Sequence, residues 1–272
     1  MAVFPDGRSL SDEQMQALAR EMNLSETTFI LPRDAATERE RGVRVRIFTV
    51  QEELPFAGHP TLGTAFVLRG SGGLREIVLD LNVGKVPVRF EEVPGQPVFG
   101  EMTQVDPEFG PLHDRKAVEG AAGLRDGDID PALPIQTVST GVAFTVVPLR
   151  GLEVMRRLRV DVKHATEYLE KSGGQFFYFV TRETVDSAAG LHARMMFSNG
   201  EDPATGSAAG CAAAWMVAHG VAQPEERVLI EQGIEMHRPS RIFVRASCTD
   251  NSVVNVRVGG NAVEVLRGEV FF

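Results

Sequence analysis

The chain is predicted to fold as an α+β protein, from two observations on its pattern of apolar residues. Many short runs have the composition of strands, few segments have helical periodicity, and the two kinds do not alternate strictly along the chain. Two helical segments, residues 61–69 and 208–219, are apolar on nearly every face, which predicts that both are central and buried.

The predicted helices begin and end at recognisable residues. Ser11, with Gln14 three residues later, forms a capping-box pattern, and the apolar residues of 15–22 then recur at helical spacing. Asn23 follows as a plausible stop. Two further helices are expected over residues 151–160 and 162–171.

The predicted strands are rich in β-branched and aromatic residues and are bounded by turn-forming residues. They are residues 27–31, 43–48, 77–81, 86–90, 98–105, 135–138, 143–149, 176–181, 228–231, 242–246, 253–258 and 262–266. The stretch 106–134 is the weakest in such signals, so the domain boundary is placed within it. The chain then divides into 1–115 and 116–272, with the last strands expected to cross back to the first domain.

The amino-acid composition disfavours some classes of binding partner and of cellular location. The net charge of −9 disfavours nucleic acid and anionic membranes, which attract positively charged surfaces. Two cysteines among 272 residues do not form a disulfide framework, and the first residues do not resemble a signal peptide, so we expect a cytoplasmic protein. The longest run without charged side chains, residues 203–224, contains several glycines and is expected to be a buried helix with its turns rather than a membrane span.

A short motif, Glu-x-Pro-x-x-Gly, occurs twice, beginning at Glu53 and at Glu201, 148 residues apart. An apolar helical segment follows each copy. Proline fixes the entry to such a turn, glycine permits close backbone approach, and the first amides of the helix lack intrahelical acceptors. Two such ends facing each other would attract an anion such as a carboxylate. The spacing alone is equally consistent with two ordinary capped helices.

Three stretches of the chain resemble the motifs of the PhzF-like isomerases of phenazine biosynthesis. They are Asn-Leu-Ser-Glu-Thr-Thr-Phe at 23–29, Glu-Leu-Pro-Phe-Ala-Gly-His-Pro at 53–60 and Glu-Asp-Pro-Ala-Thr-Gly-Ser-Ala-Ala-Gly at 201–210. Residues 232–240, Gln-Gly-Ile-Glu-Met-His-Arg-Pro-Ser, resemble a fourth. The resemblance implies a diaminopimelate-epimerase-like fold, in which two pseudo-symmetric domains each wrap a mixed sheet around a central apolar helix and the active site lies between them.

The resemblance also implies an activity. It indicates a cofactor-free, homodimeric isomerase that moves a proton within a small carboxylate-bearing metabolite, like trans-2,3-dihydro-3-hydroxyanthranilate isomerase. Glu26 matches the family's acid/base glutamate, and His59 and Asp202 match residues that contact substrate and assist proton movement. The positions that match substrate-binding ones are Ser25, Gly58, Gly206 and Ser207.

Epimerase and racemase relatives carry a cysteine immediately before each glycine of the repeated motif, and this chain does not. Ala57 and Thr205 stand there, and neither can act as a thiolate base. Cys211, five residues past the second glycine, does not fill the role. A single carboxylate that removes and returns a proton on one face is the favoured chemistry. An amino- or imino-acid epimerase and a non-catalytic binder of small anions or of a partner protein are the alternatives.

The sequence does not show the motifs of a metal site or of a nucleotide-binding site. The remaining histidines show no metal-ligand spacing, and neither a dinucleotide-binding nor a phosphate-loop motif is present. Family members usually begin with a strand and a Gly-Asn-Pro turn before the Ala-Val-Phe found here at residues 2–4, so we expect this first strand to be absent and an edge to be exposed.

Overall fold

A computed structural model describes residues 1–197 and 200–271, which contain seven helices and sixteen strands. The helices are α1 (Asp12–Met22), α2 (Ala35–Arg41), α3 (Gly58–Arg69), α4 (Arg115–Ala122), α5 (Leu152–Arg157), α6 (Val162–Ser172) and α7 (Gly206–Ala218). The first strands are β1 (Ala2–Phe4), β2 (Thr27–Leu31), β3 (Val43–Phe48), β4 (Glu53–Leu54), β5 (Glu76–Leu81), β6 (Gly84–Glu91), β7 (Phe99–Thr103) and β8 (Glu108–Leu112). The later ones are β9 (Gln136–Ser139), β10 (Ala143–Pro148), β11 (Phe176–Thr181), β12 (Leu191–Phe197), β13 (Gly200–Asp202), β14 (Val228–Gln232), β15 (Ser240–Thr249) and β16 (Ser252–Gly260).

Helix α1 has the ends that its residues predict. The Ser11 hydroxyl accepts a hydrogen bond from the Gln14 amide at 3.3 Å, and the Gln14 side chain accepts one from the Ser11 amide at 2.9 Å. The helix ends at Asn23, which adopts a left-handed conformation with φ of 49°. The capping box and the stop are therefore both confirmed.

The strands form one continuous hydrogen-bonded path, which confirms the α+β class. Its order is β1-β2-β3-β5-β6-β7-β16-β15-β14-β12-β11-β10-β9-β8, with β4 and β13 pairing beside β3 and β12. The halves join where β7 pairs with β16, the last strand of the chain. Strand β8 pairs with β9, and the boundary after residue 115 stays a prediction.

The expected strand over residues 262–266 is wrong. Strand β16 ends at Gly260, and residues 261–271 have no regular structure. Apolar residues alternate there, but a strand also needs a neighbour for its backbone groups, and no other strand pairs with this described segment.

The two halves repeat one topology. From β1 to β7 the neighbouring pairs are parallel, antiparallel, parallel, antiparallel and antiparallel, and the series from β10 to β16 is the same. The register matches as well, since Phe29 lies opposite Arg46 in the first half and Phe179 lies opposite Arg194 in the second. Corresponding positions can therefore be compared residue by residue.

Helix α7 is central and buried, as predicted, whereas helix α3 is only partly buried and its Val67 side chain is exposed. Every residue of α7 from Gly206 to Met216 is buried, and the helix contacts β9, β10, β15 and β16. Helix α3 contacts β1, β2, β5, β7 and β16. Among the described residues, no helix has the length and apolar character that crossing a membrane requires.

Candidate active site

The two repeated turns meet at their glycines, between the N-termini of α3 and α7. A methyl group placed on Gly58 would lie 2.7 Å from the Cα and carbonyl carbon of Gly206, closer than real side-chain carbons approach. One placed on Gly206 would lie 3.2 Å from the Cα of Gly58. The backbones of the two helix starts are therefore in direct contact, which only glycine at position 58 allows.

Free backbone amides surround this contact. The first intrahelical amide hydrogen bonds are donated by Thr61 in α3, at 3.2 Å, and by Ala209 in α7, at 2.9 Å. The amides before them, at residues 58, 59 and 206–208, precede the intrahelical ladder and lie at the positive ends of the two helix dipoles. This arrangement suits an anion, and the anion site stays a prediction.

Each turn is held by an ion pair from the neighbouring strand. In the first half, Arg46 donates to both carboxylate oxygens of Glu53, at 2.8 and 2.6 Å. In the second, Arg194 donates to both oxygens of Glu201, at 2.9 and 2.7 Å. The repeat is thus longer than the sequence analysis recognised, namely Arg-x6-Glu-x-Pro-x-x-Gly, and the arginines were visible in the sequence at the same 148-residue offset.

The Glu26 carboxylate and the His59 ring lie together at the meeting point. Glu26 Oε2 is 2.9 Å from His59 Nε2, although the contact is too poorly aligned to count as a hydrogen bond. The other ring nitrogen, Nδ1, lies 3.1 Å from the carbonyl oxygen of Ala204. His59 therefore links the glutamate of the first half to the turn of the second.

The surroundings of His59 determine where its protons lie. A carbonyl oxygen only accepts hydrogen bonds, so Nδ1 carries a proton. Burial disfavours the charged ring, but the carboxylates of Glu26 and Asp202 together outweigh burial, so the pKa of His59 is raised. Nε2, 2.9 Å from the Glu26 carboxylate, is thereby favoured to carry a proton as well, which suits acid/base chemistry.

Asp202 lies in the second turn, and its carboxylate is hydrogen-bonded by the turn itself. The Thr205 hydroxyl donates to Oδ2 at 2.8 Å, and the Ala204 amide donates to Oδ1 at 3.3 Å. Behind Thr205 lies the buried side chain of Gln232, which is hydrogen-bonded to the Tyr178 hydroxyl. Gln232 and Tyr178 were not predicted from the sequence as parts of the site, although Gln232 begins the fourth family-like stretch.

Of the four residues expected to bind substrate, three lie at the contact between the helix starts and one does not. Gly58, Gly206 and Ser207 form the contact between the helix starts, where a methyl group on Gly58 would also lie 2.8 Å from the Ser207 nitrogen. Ser25 is exposed beside Glu26, and no hydrogen bond joins its side chain to the site within residues 1–197 and 200–271. The structure thus brings three of the four together, while their roles in binding stay predictions.

Cys211 is unsuited to base catalysis. It is fully buried in α7, beside the Thr140 hydroxyl at 3.5 Å, and burial raises the pKa of its thiol to about 11. In the described part of the chain, no group of three His, Cys, Asp or Glu side chains is arranged as metal ligands would be.

A buried ion network lies behind the second turn. His192 is fully buried and has a carboxylate at each ring nitrogen, Glu231 at 2.8 Å from Nδ1 and Glu235 at 3.0 Å from Nε2. Only the doubly protonated ring can donate to both. Burial opposes that charge, but the two carboxylates outweigh burial, so the pKa of His192 is raised.

This network predicts a pH dependence of stability. A histidine whose pKa is raised on folding stabilises the native state fully below its unfolded value of about 6.5, and that stabilisation is lost as the pH rises through the folded value. The free energy of unfolding, measured by urea titration, is expected to fall as the pH rises above about 6.5. The His192→Gln variant should show a smaller fall, and an equal fall would assign it to other groups.

The chain is similar to known proteins over almost its whole length. The family model described as phenazine biosynthesis-like protein matches residues 1–268. An uncharacterised isomerase of Mesorhizobium japonicum is 37% identical, covering 100% of this chain and 93% of the relative. The trans-2,3-dihydro-3-hydroxyanthranilate isomerase of Pseudomonas aeruginosa is 34% identical, with the same two coverages.

A solved structure shows the same fold. The crystal structure of a Bacillus anthracis phenazine biosynthesis protein of the PhzF family superimposes with a TM-score of 0.88 at 27% identity, covering 99% of this chain and 92% of that one. The expected diaminopimelate-epimerase-like fold is thereby confirmed. With the family model matching almost the whole chain and relatives named as isomerases, this protein belongs to the PhzF-like family and is an isomerase.

Proposed function

We propose that the enzyme moves one proton between two carbons of a small carboxylate-bearing metabolite, without a cofactor, and that Glu26 removes and returns that proton. Trans-2,3-dihydro-3-hydroxyanthranilate is the first candidate substrate, because the Pseudomonas aeruginosa relative is named for it. The observation that carries the proposal is the contact between Glu26 and His59 at the meeting point of two helix N-termini.

The substrate is held by its carboxylate in this proposal. The free amides at residues 58, 59 and 206–208 donate hydrogen bonds to it, and the positive ends of both helix dipoles stabilise its charge. The reacting carbons then face Glu26, which immediately precedes β2 in the first half. The protonated His59 stabilises the negative charge that develops when a C–H bond is broken beside it.

The proton transfer needs no other reactant. The Glu26 carboxylate takes a proton from one carbon, and the electron pair of that C–H bond forms a new double bond as the existing one shifts. The neutral Glu26 then donates the same proton to the far carbon. Atoms and charge balance, and Glu26 returns to its ionised form.

The comparison of equivalent positions in the two halves supports a mechanism with a single catalytic base. Phe29 and Phe179 occupy equivalent positions in the two halves. Three residues before each of them lie Glu26 and Phe176, so the residue equivalent to Glu26 is Phe176, which cannot ionise. The two positions before the glycines hold Ala57 and Thr205. A two-base stereoinversion would need a second proton carrier on the opposite face, and the equivalent positions do not supply one.

Cofactor independence, a homodimer and a cytoplasmic location belong to the same proposal. They rest on the family likeness, and the cytoplasmic location rests also on the low cysteine content. Light scattering is expected to give twice the chain mass of 29.6 kDa. The monomer mass at micromolar concentration would remove the homodimer from the proposal.

The substrate proposal is tested in deuterated water. The enzyme is incubated with trans-2,3-dihydro-3-hydroxyanthranilate, proline and trans-4-hydroxyproline, and each compound is followed by mass spectrometry and chiral chromatography. Isomerisation of the dihydro compound alone is the expected result. Deuterium at Cα with stereoinversion of either amino acid would favour the epimerase. If nothing reacts but benzoate raises the melting temperature, the chain is a non-catalytic binder of anions.

A further inference from the structure

The second turn carries a polar network that the first turn lacks. By motif and strand register, Asp202, Thr205 and Gln232 correspond to apolar residues of the first half, namely Leu54, Ala57 and Leu81. Both turns nevertheless have the same arginine–glutamate pair and the same glycine contact. The turn can therefore form without the network, which points to a role other than folding.

The hydrogen bonds of Gln232 fix the direction of every donor in the network. Its Oε1 accepts from the Tyr178 hydroxyl at 3.0 Å and from the Thr205 amide at 3.3 Å. Its Nε2 donates to the Asp202 carbonyl at 2.7 Å and to the Thr205 hydroxyl at 2.8 Å. All four hydrogen-bonding positions of the amide are used, so the group cannot be flipped without losing bonds.

These hydrogen bonds determine how the Thr205 hydroxyl contacts Asp202. Because the Thr205 hydroxyl oxygen already accepts from Gln232, its single proton points to Asp202 Oδ2, 2.8 Å away. That oxygen acts only as an acceptor in this contact, so the hydrogen bond fixes the rotation of the carboxylate. Tyr178, fully buried, stays a donor at the far end of the chain, since burial strongly raises the pKa of its hydroxyl.

We propose that Thr205 and Gln232 are positioning residues, which hold the Asp202 carboxylate in one orientation for the proton transfer at Glu26 and His59. The inference rests on the proposed function, since it assigns Asp202 to that reaction. Asp202 adds its charge to that of Glu26 in favouring the protonated ring of His59. Thr205 and Gln232 thus act on Glu26 and His59 through the Asp202 carboxylate.

The test is a double-mutant cycle on trans-2,3-dihydro-3-hydroxyanthranilate. Thr205→Val keeps the side-chain shape and removes the hydroxyl, and it is expected to lower kcat/KM by about 10- to 100-fold, mostly in kcat. Thr205→Ser is expected to restore most of this loss. In an Asp202→Asn background, Thr205→Val should lower kcat/KM less than about twofold, since residues that act as a unit are not additive.

Two results would overturn the inference. One is a Thr205→Val enzyme with the kcat/KM of the wild type. The other is a Thr205→Val loss that carries over in full into the Asp202→Asn background, because a structural defect would multiply with it. Gln232→Leu restores the residue type of the first half and should reproduce the Thr205→Val loss, and thermal unfolding verifies that each variant folds.

A binding measurement separates this inference from the proposed function. The affinity of 3-hydroxyanthranilate is measured by calorimetry for the same set of variants. If the wild type does not turn over the dihydro compound but the cycle in binding shows the coupling to Asp202, the proposed substrate fails and the positioning of Asp202 by Thr205 stands. If turnover is observed and Thr205→Val is unaffected, the function stands and the inference fails.

Discussion

Glu26→Gln is expected to lower kcat on trans-2,3-dihydro-3-hydroxyanthranilate by about 100- to 10,000-fold, the usual contribution of a general acid/base. Glutamine has nearly the same shape but cannot take up a proton and release it at neutral pH. The variant also loses the negative charge beside His59, so the pKa of His59 should fall from its raised value. Turnover is measured under saturating substrate, and the ring is titrated by NMR.

The control for this variant is the same substitution on the preceding helix. Glu21 is exposed on α1, and Glu21→Gln should keep the wild-type kcat and melting temperature. Glu26→Gln should still bind 3-hydroxyanthranilate, because the anion is held by backbone amides. Substantial activity in Glu26→Gln would assign the proton transfer to another residue.

Gly58→Ala is expected to have the second large effect, on stability and activity together. The added methyl group would lie 2.7 Å from backbone atoms of Gly206, which cannot move aside as a flexible side chain would. Such overpacking costs about 1–3 kcal/mol of unfolding free energy and should lower the melting temperature by several degrees. Separating the two helix starts also displaces their free amides, so kcat/KM should fall with it.

Gly120→Ala provides a matched control on a different helix. Gly120 lies in the exposed part of α4, and a methyl group there would meet nothing within 4 Å. This variant should be more stable by about 0.5–1 kcal/mol, because alanine is the better helix former. If both variants had wild-type melting temperatures, the close contact of the two turns would be contradicted.

Local signals predicted the elements that local residues determine. The capping box of α1 and the apolar helices α3 and α7 depend on residues within a few positions of each other, and all three are present. Strand β12 was not predicted, because Leu-His-Ala-Arg-Met-Met-Phe has no β-branched residue. It is a strand because β11 and β14 pair with it on both sides, which is a tertiary effect.

The candidate site was predictable in its motifs but not in its contacts. The family resemblance identified Glu26, His59 and Asp202, and the structure brings the first two within 2.9 Å. Tyr178 and Gln232 are 54 residues apart, and only the parallel and antiparallel pairing of β11, β12 and β14 places them in contact. No pattern in a single sequence encodes such a distance.

The replacement of Glu26 by Phe176 in the second half has a stereochemical consequence. A scaffold with two similar halves offers a substrate two related faces, but only one of them carries an ionisable group at this position. In the proposed reaction, the enantiomer of the true substrate, anchored through the same carboxylate, would turn its migrating hydrogen away from Glu26 and would not react. Chiral discrimination would then follow from which half holds the carboxylate, rather than from the shape of the cleft.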